Sequence, residues 1–428
     1  MKSDTGRKTK MVVEVNSEVG VLEGVILHTP GPEVEKMTPE NAERALYSDI
    51  LNLSVARQEY AELEGVLNKI TTTFQVKELL EDTLKDEGVK RDLVEEICEA
   101  ENASEYLRYL LSLSEADLAE QLIEGVPIQR KSLTDYLSPE RFALRPLHNF
   151  FFTRDASVSF GNNVLINKMA TPVRARESLI METIFNHSSM VYGDTINPAR
   201  KRHLPTSLKS EGGDLLIASE NILLFGMGAR SNTLGIDFLI EHIKHTGESK
   251  HIIIQELPLT PESFIHLDMV FTLLDIDKCM VYEPVILKQN NLKTLHIDIS
   301  NGQVKIWEED NLIDSLRRLG MEVEPVFCGD NKDEWVQERE QWHSGANFFA
   351  FAPGKLIGYE RNTSTISALN NAGFEVLEAG DVISGKKNVE EYRRCVVTME
   401  GSELARGGGG CRCMTMPVRR KPVDWPNN

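Results

Sequence analysis

The sequence has no apolar run long enough to cross a membrane. Its purely apolar stretches are only a few residues long, whereas a helix that spans a bilayer needs about 18 or more. The N-terminal stretch MKSDTGRKTKMVVEV is basic, but it has neither the apolar core nor the small-residue cleavage site of a secretory signal. We therefore expect a soluble, cytoplasmic protein that does not act at a membrane.

Positive charge is also in short supply. The chain has 47 lysines and arginines against 66 aspartates and glutamates, which gives a formal net charge of −19. Nucleic acids attract clustered Lys and Arg through their phosphates, so we expect no nucleic-acid partner. The acidic excess is compatible with a cationic ligand, although such a charge can simply keep the surface solvated.

Cysteines are few, and most of them are scattered. Of the six, Cys98, Cys279 and Cys328 lie in apolar patterns typical of a core. A long chain without a secretory signal usually keeps its thiols reduced, so we do not expect a disulfide framework. The only cluster is Cys411 with Cys413. Its Cys-x-Cys spacing is shorter than the spacing that structural zinc sites usually show, so we expect no metal, with zinc as the alternative.

The arrangement of apolar segments predicts an α/β protein built from repeated units. A strand over residues 21–28 and a helix over residues 55–70 come first. Four strand–turn–strand pairs follow, at 156–160 with 164–167, 214–217 with 222–226, 268–272 with 279–282, and 347–351 with 356–359. Repetition of a unit that cannot bury itself indicates a closed or stacked assembly. We predict a five-bladed, pseudo-symmetric α/β propeller of ββαβ-type units. An ordinary α/β sheet with similar hairpins is the alternative.

A helical pattern interrupts the strand units between residues 78 and 140. Leu93, Val94 and Ile97 share one helical face, and Ser114 begins a further helix as a capping residue. We interpret this acidic segment as a small inserted helical bundle. The predicted domain division is 1–77 for the first part of the propeller, 78–140 for the insertion and 141–428 for the remainder of the propeller.

Polar residues stand at the starts of several units, where a ring would bring them together on its axis. One such stretch is Glu211-Gly212-Gly213-Asp214, whose glycines allow close backbone approach or simply form a turn. Another is His266-Leu267-Asp268, which on a strand would direct both polar side chains to one face. A purely structural histidine is the alternative there. The stretch from Asn149 to Asp155 supplies a third group.

The fourth polar group is the stretch GGGGCRCMTMP at residues 407–417. Glycines before a thiol would let a loop close over a ligand with little side-chain bulk near the sulfur, and a flexible tail with buried thiols is the alternative. One thiol, one histidine and the carboxylates Asp155, Glu211 and Asp268 suit a planar cation, because a guanidinium pairs with carboxylates in bidentate geometry. A cysteine protease would leave two of these carboxylates unused.

These motifs together resemble the arginine deiminase family of the guanidine-modifying (pentein) superfamily. The matching stretches run almost end to end: 17–20 with 27–31, 149–155, 174–177, 211–214, 266–268 and 413–417. The resemblance implies a five-unit α/β propeller with a helical insertion. It also implies hydrolysis of L-arginine to L-citrulline and ammonia without a cofactor.

The resemblance also assigns roles to the residues. Cys413 would be the nucleophile, His266 the proton donor and then the base, and Glu211 the group that orients His266. Asp155 and Asp268 would hold the guanidinium nitrogens. The remaining assignments are Arg174 and Arg230 for the α-carboxylate, and Asn149, Phe152 and Leu46 for the pocket wall.

One position departs from the family pattern. Some members carry an arginine that reaches the ligand five residues before the nucleophile, where this chain has Gly408. Arg406 or Arg412 could take its place. The alternatives are a deiminase or amidinotransferase for another guanidine, such as agmatine or methylated arginine, and a silent propeller that binds a cation. Agmatine has no carboxylate and would leave Arg174 and Arg230 unpaired. We also expect a homo-oligomer, a dimer or larger, with the helical insertion as a candidate interface.

Overall fold

The fold was analysed in a computed structural model of the chain. The structure describes residues 10–38, 49–201 and 203–425. Leu46, which the resemblance places in the pocket wall, lies outside the described residues.

The described residues form an α/β structure of short strands and helices. In chain order the strands are β1 (Met11–Val12), β2 (Leu22–Leu27), β3 (Thr72–Gln75), β4 (Val126–Pro127), β5 (Phe142–Leu144), β6 (Ser157–Phe160), β7 (Asn163–Ile166), β8 (Val191–Tyr192), β9 (Asp194–Ile196), β10 (Leu215–Ser219), β11 (Ile222–Met227), β12 (Lys250–Glu256), β13 (Phe271–Asp275), β14 (Lys278–Val281), β15 (Thr294–Ser300), β16 (Gln303–Glu309), β17 (Glu324–Phe327), β18 (Phe349–Ala352), β19 (Lys355–Tyr359), β20 (Glu375–Glu378), β21 (Cys395–Met399) and β22 (Met416–Arg420). The helices are α1 (Pro32–Glu35), α2 (Leu53–Ile70), α3 (Val76–Thr83), α4 (Glu87–Ala100), α5 (Leu107–Leu111), α6 (Glu115–Glu124), α7 (Leu133–Leu137), α8 (Ala175–His187), α9 (Thr233–Thr246), α10 (Glu283–Ile286), α11 (Leu312–Arg318), α12 (Glu334–Trp342), α13 (Thr363–Asn371) and α14 (Ala379–Ile383).

One strand arrangement recurs in five sheets of the described chain. Each contains an antiparallel pair and a further strand that runs parallel to one member of the pair. The sets are β22-β2-β3, β6-β7-β9, β10-β11-β12, β13-β14-β17 and β18-β19-β21, with β15 and β16 added to the third and β20 to the fifth. A parallel neighbour needs a crossover, and helices such as α2, α8 and α9 lie in these connections. The predicted ββαβ-type repeat is therefore confirmed.

The five sheets are separate and open. No sheet among the described residues closes on itself, so the structure confirms the mixed α/β class but not a closed five-bladed propeller. The unit that contains β2 joins both ends of the chain, because β22 pairs with β2 in antiparallel register.

The third predicted hairpin begins later than the sequence pattern indicated. His266 has extended backbone geometry, but residues Leu267–Met269 form a 3₁₀ turn and β13 starts only at Phe271. The expectation that His266 and Asp268 share one face of a strand was therefore wrong. The Asp214 carboxylate accepts a hydrogen bond from the Leu267 amide at 3.0 Å. This contact between distant residues stabilises the turn, and local strand propensity does not contain it.

The segment between β3 and β5 is mainly helical, as predicted. Helices α3 to α7 lie within it, and Ser114 caps α6 by accepting a hydrogen bond from the Asp117 amide at 3.2 Å. Its apolar faces do not form a separate core. Leu93 and Ile97 belong to one buried cluster with Ile26 of β2 and Ile180 of α8. The predicted boundaries at 78 and 140 stay a prediction. In the described ranges, no helix combines the length and the apolar composition that crossing a bilayer requires.

Candidate active site

A small buried cavity collects most of the residues that the sequence nominated. Its volume is about 30 Å³, the space of about one water molecule. Of the nine predicted site residues that the structure describes, eight line it, and Asp268 does not. The lining consists of Asn149, Phe152, Asp155, Arg174, Glu211, Arg230, Ile265, His266, Gly407, Gly408, Gly409 and Cys413. Residues from six separate parts of the described chain therefore converge on one site.

His266 lies between two carboxylates in this cavity. Its Nε2 atom is 3.0 Å from Glu211 Oε2, and its Nδ1 atom is 3.8 Å from Asp155 Oδ1. Gly213 permits this placement, since a Cβ atom there would lie 2.4 Å from His266 Nδ1. The prediction that the two glycines allow close approach is thus confirmed.

The charges around His266 favour its protonated form. Burial opposes the imidazolium, but the Asp155 charge and the hydrogen bond to Glu211 outweigh burial and raise the pKa of His266. Burial likewise opposes the Glu211 carboxylate, and the His266 hydrogen bond and the Arg230 charge outweigh it, so the pKa of Glu211 is lowered. The pair therefore exists as imidazolium and carboxylate at neutral pH, which equips His266 to donate a proton.

Cys413 lies at the end of a turn, close to a buried carboxylate. Its Sγ atom is 3.7 Å from Asp268 Oδ2, and it is buried. Burial and the charges of Asp268 and Asp155 raise the pKa of the Cys413 thiol well above its ordinary value. The sulfur is therefore a neutral thiol in the ligand-free site, and a bound cation is needed to favour the thiolate.

Cys411 has a different environment, although it is only two residues away. Its Sγ atom lies 3.5 Å from Met399 Sδ in the core, and all six cysteines are free thiols. Residues 411–414 form turns and not an extended strand, and of the two cysteines only Cys413 lines the cavity. Burial raises the pKa of Cys411, which makes it a poor nucleophile.

Asn347 is a site residue that the sequence reasoning missed. Its Oδ1 atom accepts hydrogen bonds from the amides of Arg412 at 2.9 Å and Cys413 at 3.3 Å. Its Nδ2 atom donates to the Asp268 carbonyl at 3.1 Å and lies 3.2 Å from Cys413 Sγ. One amide thus fixes the nucleophile turn against the Asp268 turn. Its position just before strand β18, at the start of a unit as Glu211 and His266 are in theirs, was the available signal.

The two arginines that the resemblance assigned to the α-carboxylate differ in how many of their guanidinium donors are free to bind a ligand. The Arg174 guanidinium donates to Asp155 Oδ2 at 2.6 Å and to Glu177 Oε2 at 2.7 Å, and also to the carbonyls of Asn149 and Phe152. Its donors are largely occupied by the protein. Arg230 has a weaker contact, with Nη1 3.7 Å from Glu211 Oε1, and its side chain is partly exposed.

Neither nearby arginine replaces the missing side chain at Gly408. Arg412 is buried and bridges Glu18 and Asp268 at 2.9 and 2.8 Å. Arg406 pairs with Asp49 and Glu403. Both guanidiniums are therefore engaged, and the suggestion that one of them serves as the loop's ligand contact is not supported by these positions.

Two polar atoms in the cavity have no hydrogen-bond partner among the described residues. They are Asp155 Oδ1 and His266 Nδ1. A buried carboxylate oxygen without a partner is costly, so this atom is available to a ligand that carries N–H groups.

The same side chains raise the question of a metal. Ligand atoms of Asp155, Glu211 and His266 lie within 4.8 Å of one another. However, an imidazolium cannot ligate a metal, and Arg174 already pairs with Asp155. The charges therefore suit a ligand that donates hydrogen bonds better than a metal ion.

Comparison with known proteins gives consistent results over nearly the whole chain. A family model described as arginine deiminase matches residues 43–420. Arginine deiminase from Streptococcus gordonii is 32% identical over 433 residues, covering 96% of this chain and 99% of the relative. Arginine deiminase from Oenococcus oeni is 30% identical over 435 residues, covering 97% and 99%.

Solved structures share the fold at low sequence identity. The product-bound N-terminal domain of ArgZ, an arginine dihydrolase from the ornithine–ammonia cycle in Cyanobacteria, has a TM-score of 0.51 and 14% identity, covering 94% of this chain and 99% of that domain. Unliganded AgrE has a TM-score of 0.50 and 14% identity, covering 94% of this chain and 40% of that protein. Both likenesses show a common α/β architecture.

Proposed function

The chain belongs to the arginine deiminase family, and on that premise we propose that it hydrolyses the guanidinium group of L-arginine to L-citrulline and ammonia. The observation that carries the proposal is the convergence of the Cys413 thiol, the His266 imidazolium and the unpartnered Asp155 Oδ1 in one buried cavity. A silent binding protein would have no use for a thiol beside a proton donor.

Substrate binding would prepare the nucleophile. A guanidinium that enters the cavity donates an N–H to Asp155 Oδ1 and brings positive charge toward Cys413. That charge offsets the Asp268 and Asp155 carboxylates, which hold the pKa of Cys413 high. The thiol then loses its proton to solvent, and the thiolate is held in line with the guanidinium carbon.

The first chemical step forms a bond from Cys413 Sγ to the guanidinium carbon. His266, protonated through Glu211 and Asp155, gives its proton to one terminal nitrogen, and ammonia leaves as the C–N bond breaks. The product is a cationic S-alkylthiouronium joined to Cys413, with the remainder of the substrate on the other nitrogen.

Water completes the reaction in a second step. Neutral His266 removes one proton from water, the oxygen attacks the thiouronium carbon, and the C–S bond breaks as the sulfur leaves. The remaining hydroxyl proton passes to the departing sulfur, which restores the Cys413 thiol. The carbon keeps the oxygen and becomes the ureido group of citrulline. The net change is one water consumed and one ammonium released, so no cofactor is required.

The larger architecture is part of the same proposal. We infer that the five strand units are arranged as a ring, supported by the pairing of β22 with β2, which unites the two ends of the chain. The division into 1–77, 78–140 and 141–428 and assembly into a homo-oligomer belong to this proposal as well.

The test is citrulline formation from L-arginine by the wild type and by Cys413→Ala, with Cys411→Ala as the matched control. The wild type and Cys411→Ala should both turn over arginine, and Cys413→Ala should lose at least about 10³-fold, because the covalent route is removed. Turnover of agmatine in place of arginine would identify another guanidine as the substrate. Equal activity of the two variants would contradict the assigned nucleophile.

A further inference from the structure

A second, larger cavity lies directly outside the active site. Its volume is about 700 Å³, and it shares Arg230, Ile265, Gly407 and Gly408 with the inner cavity. We propose that this outer cavity binds a group attached to the α-carboxyl of arginine, so that arginine carboxamides, including amides of dipeptides with N-terminal arginine, are also substrates. The inference rests on the proposed function and extends its substrate class.

The wall between the two cavities has no side chain at one position. Gly408 has φ +84°, and a Cβ atom built there would meet no atom of the described residues within 4 Å. By contrast, a Cβ at Gly409 would lie 2.5 Å from the Phe152 ring. Gly409 therefore packs against the inner pocket, while no described atom lies close to a side chain at position 408. The two cavities meet at this glycine, which lines both.

The inner site has little capacity to demand a free carboxylate. The Arg174 donors are occupied by Asp155, Glu177 and two carbonyls. Among the described residues that line both cavities, Arg230 is the one cation. A single arginine at a partly exposed position discriminates weakly between a carboxylate and a carboxamide.

One part of the outer cavity suits an apolar extension, and it lies beside the charged lining residues Asp49, Arg230, Glu262 and Arg406. Leu259, Pro261, Phe264 and Trp342 supply apolar surface, and the Leu259 and Trp342 side chains are exposed. Arg406 lines the cavity but is already paired with Asp49 and Glu403. Exposed apolar side chains beside a reactive site gain free energy when a ligand covers them.

The chemistry at the guanidinium would be the same for the extended substrate. Water is consumed, ammonia leaves, and the amide bond at the α-carboxyl is not broken. The product is a citrulline carboxamide that retains its substituent, which mass spectrometry distinguishes from free citrulline.

The test compares kcat/KM for L-arginine, L-argininamide and L-arginyl-L-leucinamide in the wild type, Trp342→Ala and Trp335→Ala. Trp335 is an exposed tryptophan on the same helix, α12, and does not line the cavity, so it controls for loss of a large surface side chain.

Arginyl-leucinamide should be turned over within about tenfold of arginine, and roughly 3- to 10-fold better than argininamide, because the leucine side chain is partly buried. Trp342→Ala should remove that advantage and leave arginine turnover within about twofold.

Three outcomes would overturn the inference. If the wild type turns over arginine but turns over arginyl-leucinamide more than about 100-fold more slowly, the inference is contradicted and the proposed function is left intact. A Trp342→Ala effect of equal size on all three substrates would show a structural role and contradict the outer site. Failure of all three substrates in the wild type would overturn this inference together with the proposed function.

Discussion

The Sγ atom of Cys413 lies 3.7 Å from Oδ2 of Asp268, and both side chains are buried. A carboxylate at this distance stabilises the neutral thiol and disfavours the thiolate. The ligand-free protein therefore keeps its nucleophile inactive, and the positive charge of the substrate supplies the activation. A resting thiol of this kind is protected from indiscriminate alkylation and oxidation, since both reactions need the thiolate.

Replacing Asp268 with asparagine should expose the effect of that charge. The Asp268 carboxylate contributes to the raised pKa of Cys413, and Arg412, which bridges Asp268 and Glu18, would then be paired with Glu18 alone. Asp268→Asn should lower the pKa of the thiol. The rate of alkylation of Cys413 by iodoacetamide at neutral pH should then increase about tenfold or more, which corresponds to a pKa that is lower by about one unit. Labelling in a Cys411→Ala background, read by peptide mass spectrometry, assigns the reacting sulfur. An unchanged rate would contradict electrostatic control.

Glu211 should set the alkaline limit of activity through His266. The hydrogen bond and charge of Glu211 help to raise the pKa of His266, so Glu211→Gln should lower that pKa. His266 acts as an acid in the first step, and its proton is lost as pH rises through its pKa. The alkaline limb of the kcat/KM profile should therefore move to lower pH, with kcat/KM at neutral pH reduced about 10²- to 10⁴-fold.

The control for this prediction is an acid-to-amide change that leaves His266 untouched. Glu62→Gln on α2 is a suitable control. The Glu62 carboxylate accepts a hydrogen bond from the Glu400 amide, and Glu62 does not line the catalytic cavity. NMR titration of the His266 ring protons gives the pKa directly. A lower activity of Glu211→Gln with the His266 pKa unmoved would show that Glu211 acts by packing alone.

The sequence specified the strand units well because their signal is local. Alternating apolar residues and turn residues such as Gly161 and Gly354 mark each hairpin, and three of the four predicted pairs match β6–β7, β10–β11 and β18–β19 closely. The remaining pair, the third along the chain, was misplaced at its start, because the 3₁₀ turn before β13 is stabilised by a hydrogen bond to Asp214, more than fifty residues away. The pattern could not show whether the five units close into a ring, since that depends on contacts between units.

The sequence predicted the catalytic residues of the site better than the residues that hold them in place. Motifs located Cys413, His266 and Glu211, since each stands in a short polar stretch at the start of a unit. Sequence reasoning did not identify Asn347 and Arg412 as residues that support the nucleophile. Asn347 acts through a hydrogen bond to Asp268 and Arg412 through an ion pair with Glu18, and both partners are distant in sequence. The ion pair of Arg174 with Glu177 could have been predicted locally, since the two residues lie one helical turn apart. Its ion pair with Asp155 had no such local signal.

Asp214 should make stability fall as pH rises. Burial opposes its ionisation and raises its pKa to about 7, although His266 and hydrogen bonds partly offset burial. Its ordinary pKa is about 3.9, so the folded state binds this proton more tightly than the unfolded state does. The contribution to stability is complete below about pH 4 and is lost as pH rises through about 7.

Asp214→Asn should remove that dependence. The asparagine carbonyl can still accept from the Leu267 amide. The free energy of unfolding of the variant relative to the wild type should therefore increase steadily between about pH 4 and 7, as measured by urea denaturation. Asp92→Asn, at an exposed position on α4, is the matched control. A constant difference across this range would contradict the raised pKa.

Gly409 should tolerate no side chain. A Cβ atom there would lie 2.5 Å from the Phe152 ring, and that ring is buried against Phe151 with centroids 4.2 Å apart, so it has little room to move. Gly409→Ala should destabilise the fold by about 1–3 kcal/mol through overpacking. It should also lower kcat/KM for arginine by about tenfold or more, because Phe152 lines the catalytic cavity. Gly380→Ala is the matched control, since Gly380 lies within α14 and a Cβ atom there would have no described atom within 4 Å. Alanine in a helix should be neutral or stabilising by up to about 1 kcal/mol. Thermal unfolding and steady-state kinetics on both variants give the comparison, and equal behaviour of the two would show that the loop accommodates a side chain at 409.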